Sequence, residues 1–324
     1  GSVEQYAHSN LGKCVFVPRP LHIRSLRCHI NAMSTADDLV ANAPYGRIEQ
    51  LTPLIRRVLA KNPSPFTYIG TGTYIIGGGD TVAVIDPGPA EPAHIAALID
   101  AVAGKTVSHI AITHTHMDHS PAAPALAAAT GARIVGCVPL MLSDDGPRAD
   151  AGFDATYAPD EVMADGDSIS GPDWTLTALH TPGHTSNHLC FALAQEKALF
   201  TGDHVMGWST TVVAPPDGDM AAYMASLKLL LDRDDAIYYP THGDPVTDPQ
   251  RFARGLITHR KQRENQILKL LGQAPQTIPA MVAVMYAMVD KKLHPAAGRS
   301  VLAHLIDLEA RGVVVRDGEV WRMA

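Results

Sequence analysis

The sequence predicts an α/β protein, a layered domain with a composite sheet followed by a smaller winged-helix-like unit. Two patterns carry the first part. Between Thr71 and Pro240, short β-branched runs alternate with turns and helical stretches, and such strand–strand–helix cycles bury sheets beneath helices. Three strand ends are followed at once by a histidine or an aspartate. A third observation gives the second unit: beyond His242 the chain changes to three helical stretches and a closing hairpin.

Taken in order, TYII, GGGD and TVAVID ending in Pro-Gly read as a hairpin. PAHIAALIDAVAG is a helix by its apolar spacing and closing glycine, and VSHIAIT is a buried strand. The stretch THTHMDH, residues 113–119, stands where that strand ends and a helix, PAAPALAAATG, begins. Strands follow around ARIVG, TLTALH, HLCFAL and ALFTGD, then a helix from about Met220 to Leu231 and the strand AIYYP. Helices are expected over Gly255–Leu271, TIPAMVAVMYAMV and SVLAHLIDLEARG. VVVRDGEVW closes a hairpin around Asp317-Gly318, a strong two-residue turn signal.

With 324 residues, 46% hydrophobic and 18% charged, the chain has enough apolar mass for a large core and two units. The expected boundaries are 33–254 for a catalytic domain and 255–324 for the winged-helix-like domain. Residues 1–32 hold Lys13, Arg19, Arg24 and Arg27 against Glu4 and show no period. They read as a targeting leader or, more plainly, as an extension upstream of Met33. No apolar run approaches the roughly 20 residues of a membrane-spanning helix, so a soluble protein with no membrane partner is expected. Cys14, Cys28, Cys137 and Cys190 are widely spaced without a CxxC, which suits a reducing compartment, the cytoplasm.

The net charge of −7 is unevenly spread. Residues 33–254 carry 12 basic and 26 acidic residues, a net of −14, and residues 255–324 carry 10 and 6, a net of +4. The acidic part is a poor surface for nucleic acid, whereas the basic tail can attract phosphate.

The densest chemistry is His114, His116, Asp118 and His119. Imidazole nitrogen and carboxylate oxygen are the ligands of hydrolytic zinc, at about 2.0–2.2 Å. His114 and His116, two apart in an extended stretch, face one side and can meet one ion. Asp118 and His119, at the helix entry, can turn to a second. His184 and His242, after the TPG and PT turns, supply a third ligand to each, and Asp203 is left to bridge them. Seven ligands thus suffice for two cations, Zn2+ by donor type, with Fe or Mn as alternatives. A lone histidine is more often a core or surface residue, and a lone aspartate a cap. The clustering and the turn positions favour ligation. Asp86, ending its strand before Pro-Gly, reads as an anchor behind the metal loops. His188 and His204 are candidates for supporting groups, and His180 reads as structural.

These motifs carry a resemblance. THTHMDH has the form HxHxDH, and TPGHTSNH, FTGDH and YPTHGD follow in the order seen in the metallo-β-lactamase superfamily, which the chain resembles. More narrowly, PFTYIGTGTYII, FTGDHVMGWSTTVV and the tail from THRKQRENQIL through HPAAGRSVLAHLIDLEARGVV resemble the β-lactamase-like protein 2 family over about residues 51 to 316. The resemblance implies an αββα sandwich with a C-terminal winged-helix-like domain and two zinc ions. It also implies single-stranded RNA cleavage as the family's best-known activity, with thioester and lactone hydrolysis in close branches. One departure is Ser120-Pro121-Ala122, where relatives continue with Ser-Gly-Gly; it touches no expected ligand. Antibiotic-hydrolysing relatives lack an aspartate at the position of Asp203, so true β-lactamase activity is not expected. Di-iron flavoproteins place Glu where His116 stands, and glyoxalase-II-type thioesterases have a different tail.

A water shared by two cations has its pKa lowered from 15.7 toward about 7, which supplies hydroxide without a separate base. No GxSxG is present and no Ser/His/Asp triad is needed. Asp118 is the candidate to steer the nucleophile or pass a proton to the leaving group. Three functions compete. An RNA phosphodiester hydrolase would use Lys261, Arg263, Lys291, Lys292 and Arg299 as phosphate contacts. A small-molecule ester, thioester or lactone hydrolase fits the acidic catalytic part. A nucleic-acid-binding module would make the metals structural. Substrate choice is expected in the loops Ser143–Asp160 and Trp208–Asp219. Ile257, Ile267, Leu268 and Leu271 offer an apolar face for the core or for a second copy in a homo-oligomer.

Overall fold

The computed structural model describes residues 36–140 and 152–324. The extension expected over 1–32 and the part of the expected substrate loop from Ser143 to Ala151 lie outside the described residues. A short helix, α1 (Ala36–Ala41), belongs to a separate unit from Asn42–Ala324. Within the second unit, one sheet keeps chain order: β1 (Ile48–Gln50), β2 (Ile55–Leu59), β3 (Gly72–Ile76), β4 (Thr81–Ile85), β5 (Thr106–Ile112), β6 (Arg133–Gly136) and β7 (Glu161–Val162). The pairs from β1 to β4 are antiparallel, and those from β4 to β7 are parallel. Parallel neighbours need crossovers, which α2 (Pro92–Ala101) and α3 (Ala123–Thr130) supply on either side of β5.

The second sheet has the order β12-β11-β10-β9-β8, from β8 (Ser168–Ser170), β9 (Thr175–His180), β10 (Leu189–Leu193), β11 (Ala198–Gly202) and β12 (Ile237–Pro240). Its one parallel pair, β11 with β12, is joined by α4 (Met220–Leu231), with Asp219 capping the helix through its side chain. Side chains alternate along each strand. In β10, Leu189, Phe191 and Leu193 enter the core shared with Ile75, Val84 and Ile110 of the first sheet. Cys190 enters a second core with Tyr223 and Leu227 of α4. Two sheets meeting face to face under helices give the αββα sandwich.

The winged-helix unit follows as α5 (Pro249–Leu271), β13 (Gln276–Thr277), α6 (Ile278–Met285), α7 (His294–Ala310), β14 (Val314–Asp317) and β15 (Val320–Met323), with a sheet ordered β13-β15-β14. Gly318 takes φ +60° in the hairpin turn, as its place after Asp317 requires. α5 begins six residues before the expected Gly255, because the Asp248 carboxylate accepts the Arg251 N–H and Pro249 fits the first turn. The helix therefore runs through the expected 254–255 boundary. Its Leu256 and Ile257 lie in the second core, and its Ile267 and Leu271 in a third core with Met281, Leu305 and Trp321. Leu268 packs half-buried against that third core. All four residues expected to form a core or partner face are thus engaged internally. Among the described residues no helix is long and apolar enough to cross a membrane.

Candidate metal centre

Strand ends bring the expected residues together. Asp86 follows β4, the THTHMDH stretch follows β5, Asp203 follows β11 and His242 follows β12. Two buried groups result: His114, His116, His184 and Asp203 in one, Asp118, His119 and His242 in the other, each with donor atoms within 4.8 Å of one another. All seven expected ligands are included. Asp203 lies between the groups, its Oδ2 3.6 Å from His184 Nε2 and its Oδ1 3.4 Å from His242 Nε2 and 3.6 Å from His119 Nε2.

Hydrogen bonds behind the rings fix which nitrogen faces the centre. The Val212 carbonyl can only accept, so His184 donates from Nδ1 (2.6 Å) and leaves Nε2 as a lone pair. By the same reasoning His242 donates from Nδ1 to the Gly70 carbonyl (3.2 Å). His119 donates from Nδ1 to Asp86 Oδ2 (2.9 Å). Thr113 gives its hydroxyl proton to Asp86 (2.7 Å) and so accepts from His114 Nδ1 (3.0 Å). His116 is turned the other way, with Nδ1 3.0 Å from His114 Nε2 and 3.1 Å from His184 Nε2. These separations approach the roughly 3.3 Å edge of a tetrahedron whose metal–nitrogen bonds are 2.0–2.1 Å.

Does this set fit cations? His119 Nε2 and Asp203 Oδ1 are buried and lack hydrogen-bond partners, an arrangement that costs about 1–3 kcal/mol per group if nothing fills it. A divalent ion is the group that imidazole lone pairs and carboxylate oxygens of this kind hold. The electrostatics show where positive charge is favoured. Burial, followed by the neighbouring imidazoles, lowers the His114 pKa well below the usual range, and burial and His184 push His116 down to about 3, so both rings stay neutral. Burial also pulls on His119, but Asp118, Asp203 and Asp86 outweigh it and raise its pKa, while Asp203 and Asp118 raise that of His242. Burial works against Asp118 and Asp203, yet His119 and His242 hold both carboxylates well ionised.

Asp86 is fully buried and accepts from Thr113 N, Thr113 Oγ1, His119 Nδ1 and Thr241 Oγ1. It ties the ends of β4, β5 and β12 together from a left-handed φ of +46°, which aspartate tolerates. His188 accepts the Asp203 N–H at Nε2 (3.2 Å) and therefore donates from Nδ1 to Thr181 (2.9 Å). His204, the other candidate supporting group, is buried with no hydrogen-bond partner on either ring nitrogen and lies edge-on to Tyr223 (5.0 Å). His180 is exposed and reaches the Ser186 carbonyl. Ser120, in the departing tripeptide, donates its hydroxyl proton to Asp154 Oδ2 and its backbone N–H to the His116 carbonyl.

Some contributors carry little sequence signal. Gly202 takes φ +49°, and a Cβ there would lie 2.7 Å from His188 Nε2; its place between a strand and Asp203 is the available clue. Thr113 and Thr241 each precede a ligand but read as ordinary strand ends. Phe66, Met206 and Val212 line one pocket together with His116, Asp118, His184, Asp203 and His242. No spacing rule links those three apolar residues.

The metallo-β-lactamase superfamily profile matches residues 70–242, spanning the first expected ligand motif to the last. The chain belongs to the metallo-β-lactamase superfamily. A β-lactamase-associated winged helix domain matches residues 277–321 of this hydrolase. Its relatives include an atrochrysone carboxyl ACP thioesterase of Claviceps purpurea, 33% identical over 71% of this chain and 69% of the relative. Another, from Aspergillus chevalieri, is 32% identical over 78% of this chain and 76% of its own. In fold, the hydrolase is similar to a β-lactamase domain protein from Burkholderia ambifaria (TM-score 0.72, 19% identity, 88% of this chain and 96% of that one). A metallo-β-lactamase family protein from Thermus thermophilus is likewise similar (TM-score 0.67, 21% identity, 85% and 100%).

Proposed function

We propose that this metallo-β-lactamase superfamily hydrolase holds two zinc ions and cleaves an acyl thioester of a small molecule. The observation that carries the reading is the pair of buried ligand groups, shared through Asp203, opening onto a cavity walled by Phe66, Met206 and Val212. His114, His116 and His184 would hold one ion, Asp118, His119 and His242 the other, and Asp203 both. Imidazole with carboxylate suits zinc, with iron and manganese as the nearest alternatives. When bound, the cations polarise a carbonyl and lower the pKa of water to about 7.

The chain's own residues do the rest. Val212, Gly70, Thr113 and Asp86 fix the histidine tautomers, so the ligand nitrogens are aimed before any substrate arrives. Phe66, Met206 and Val212 offer apolar surface to the acyl part. Hydrolysis joins the oxygen of water to the acyl carbon, breaks the C–S bond and returns a proton to the thiolate. Asp118, on the pocket wall and 3.1 Å from His242 Nε2, is placed to pass that proton. A thiolate, near pKa 8.5, leaves with little help.

The relatives named as thioesterases favour this substrate over RNA. The tail also offers fewer free cations than its charge suggests: Arg263 reaches Gln266 and the Met285 carbonyl and lies over Tyr286. Arg311 pairs with Glu264 and Asp307. Buried, unpaired Cys137 and Cys190 support a reducing, cytoplasmic setting.

The test gives zinc-loaded protein an acyl thioester, a lactone and single-stranded RNA side by side. Thioester turnover abolished in His114→Ala supports the reading; cleavage of RNA alone overturns it.

A further inference from the structure

We propose that Arg260, on α5 outside the ligand motifs, is a positioning residue that holds His184 in place from two sides. The inference rests on the reading of His184 as a metal ligand. Arg260 is 3% exposed, and its Nη2 donates to the Thr211 carbonyl. The next residue, Val212, presents the carbonyl that takes the His184 Nδ1 proton at 2.6 Å. The Thr211 hydroxyl lies 2.9 Å from the carbonyl oxygens of both Asp203 and His204. Fixing the Thr211 carbonyl therefore fixes the peptide next to the one whose carbonyl orients His184, and Thr211 braces the strand end carrying Asp203.

The second side is Tyr223. The Arg260 guanidinium lies over its ring at 5.1 Å, a contact that a planar delocalised cation makes well. The Tyr223 backbone underlies Gly183, where a Cβ would come within 2.3 Å of Tyr223 Cα. Gly183, at φ +138°, is the residue before His184. α4 is further pinned to this turn by Ser226, which donates to the Pro182 carbonyl (2.8 Å). One buried guanidinium thus presses on both the loop in front of His184 and the helix behind it. Because α5 continues into the third core, the winged-helix unit gains a task at the metal centre that requires no nucleic acid.

Groups that orient a metal ligand change affinity by about 10–100-fold when removed. The experiment measures the affinity of each metal equivalent by chelator competition, with the visible spectrum of cobalt-substituted protein, in native, Arg260→Gln and Arg260→Lys chains. His184→Ala identifies which equivalent depends on that ligand. In Arg260→Gln this equivalent should weaken about 10–100-fold with an altered cobalt spectrum, and the other should stay near native. Arg260→Lys keeps the charge but cannot span both the carbonyl and the ring, so a smaller loss is expected. Native affinities and spectrum in folded Arg260→Gln overturn the proposal. If that variant does not fold, native behaviour of Arg260→Lys does the same. Native protein that binds no metal overturns the ligand reading instead.

Discussion

Asp86 Oδ2 accepts the Nδ1 proton of His119 at 2.9 Å, and both side chains are fully buried. The same carboxylate takes protons from Thr113 and Thr241. Asp86→Asn would turn an amide toward donors that need acceptors. Metal affinity should fall about 10–100-fold, and stability by at least about 2 kcal/mol. Chelator competition and urea unfolding read the two effects; native values for both would show that Asp86 is a bystander.

Metal removal is expected to loosen the whole centre, because seven converging side chains lose their common partner. A ligand at 1,000 times its dissociation constant stabilises the folded state by about 4 kcal/mol. Chelation should therefore lower Tm by several degrees, with recovery on adding zinc. Elemental analysis should find two equivalents in reconstituted protein, and fewer than one would end the dinuclear reading.

Gly183 and Gly131 both have positive φ, +138° and +74°, but of the two only Gly183 has backbone within 3 Å of a new Cβ. Gly131→Ala should cost about 1–2 kcal/mol for its left-handed backbone alone. Gly183→Ala should cost clearly more and weaken metal binding by moving His184. Equal losses in denaturant titrations would mean that Tyr223 does not constrain the turn.

Burial, and after it the Arg260 charge, pushes His304 down to a pKa of about 3. Above pH 6.5 the residue is neutral whether the chain is folded or not. Below 6.5 the unfolded chain takes a proton that the folded site refuses, so stability falls with pH, by about 2 kcal/mol from this residue between pH 6.5 and 5. His304→Leu should flatten that decline. Parallel native and variant curves of unfolding free energy against pH would contradict it.

Salt separates the two substrate classes. Thioester kcat/KM should hardly change between 50 and 200 mM salt, and Lys291→Ala with Lys292→Ala should leave it unaltered. RNA held by three phosphate contacts would lose roughly tenfold or more over that range. A steep salt response with the thioester would place basic residues in its recognition.

Much of this centre is legible because metal chemistry confines its ligands to a few residue types at strand ends. THTHMDH, Asp203 and His242 follow from that rule, and the helix over Met220–Leu231 is legible from its own pattern, while its Asp219 cap emerges only in the structure. Arg260 shows what is not legible. In the sequence it is one cation beside Lys261 and Arg263, and only the packing of α5 on α4 sets it against Thr211 and Tyr223. β1 and β2 escape a reading by pattern, since IEQ and IRRVL carry charges that the half-buried outer part of a sheet accommodates. The start of α5 reads late because apolar spacing outweighs the Asp248-Pro249 cap signal.

The second core joins Cys190 and Tyr223 to Ile257 and, from α7, to Ala303. During synthesis, the ribosome must therefore add some sixty residues beyond His242, the last of the expected ligands, before the second core has all its packing partners. The arrival of those side chains and structural completion are separated in time, so a nascent chain can present every expected ligand while the scaffold that aims them is still unfinished.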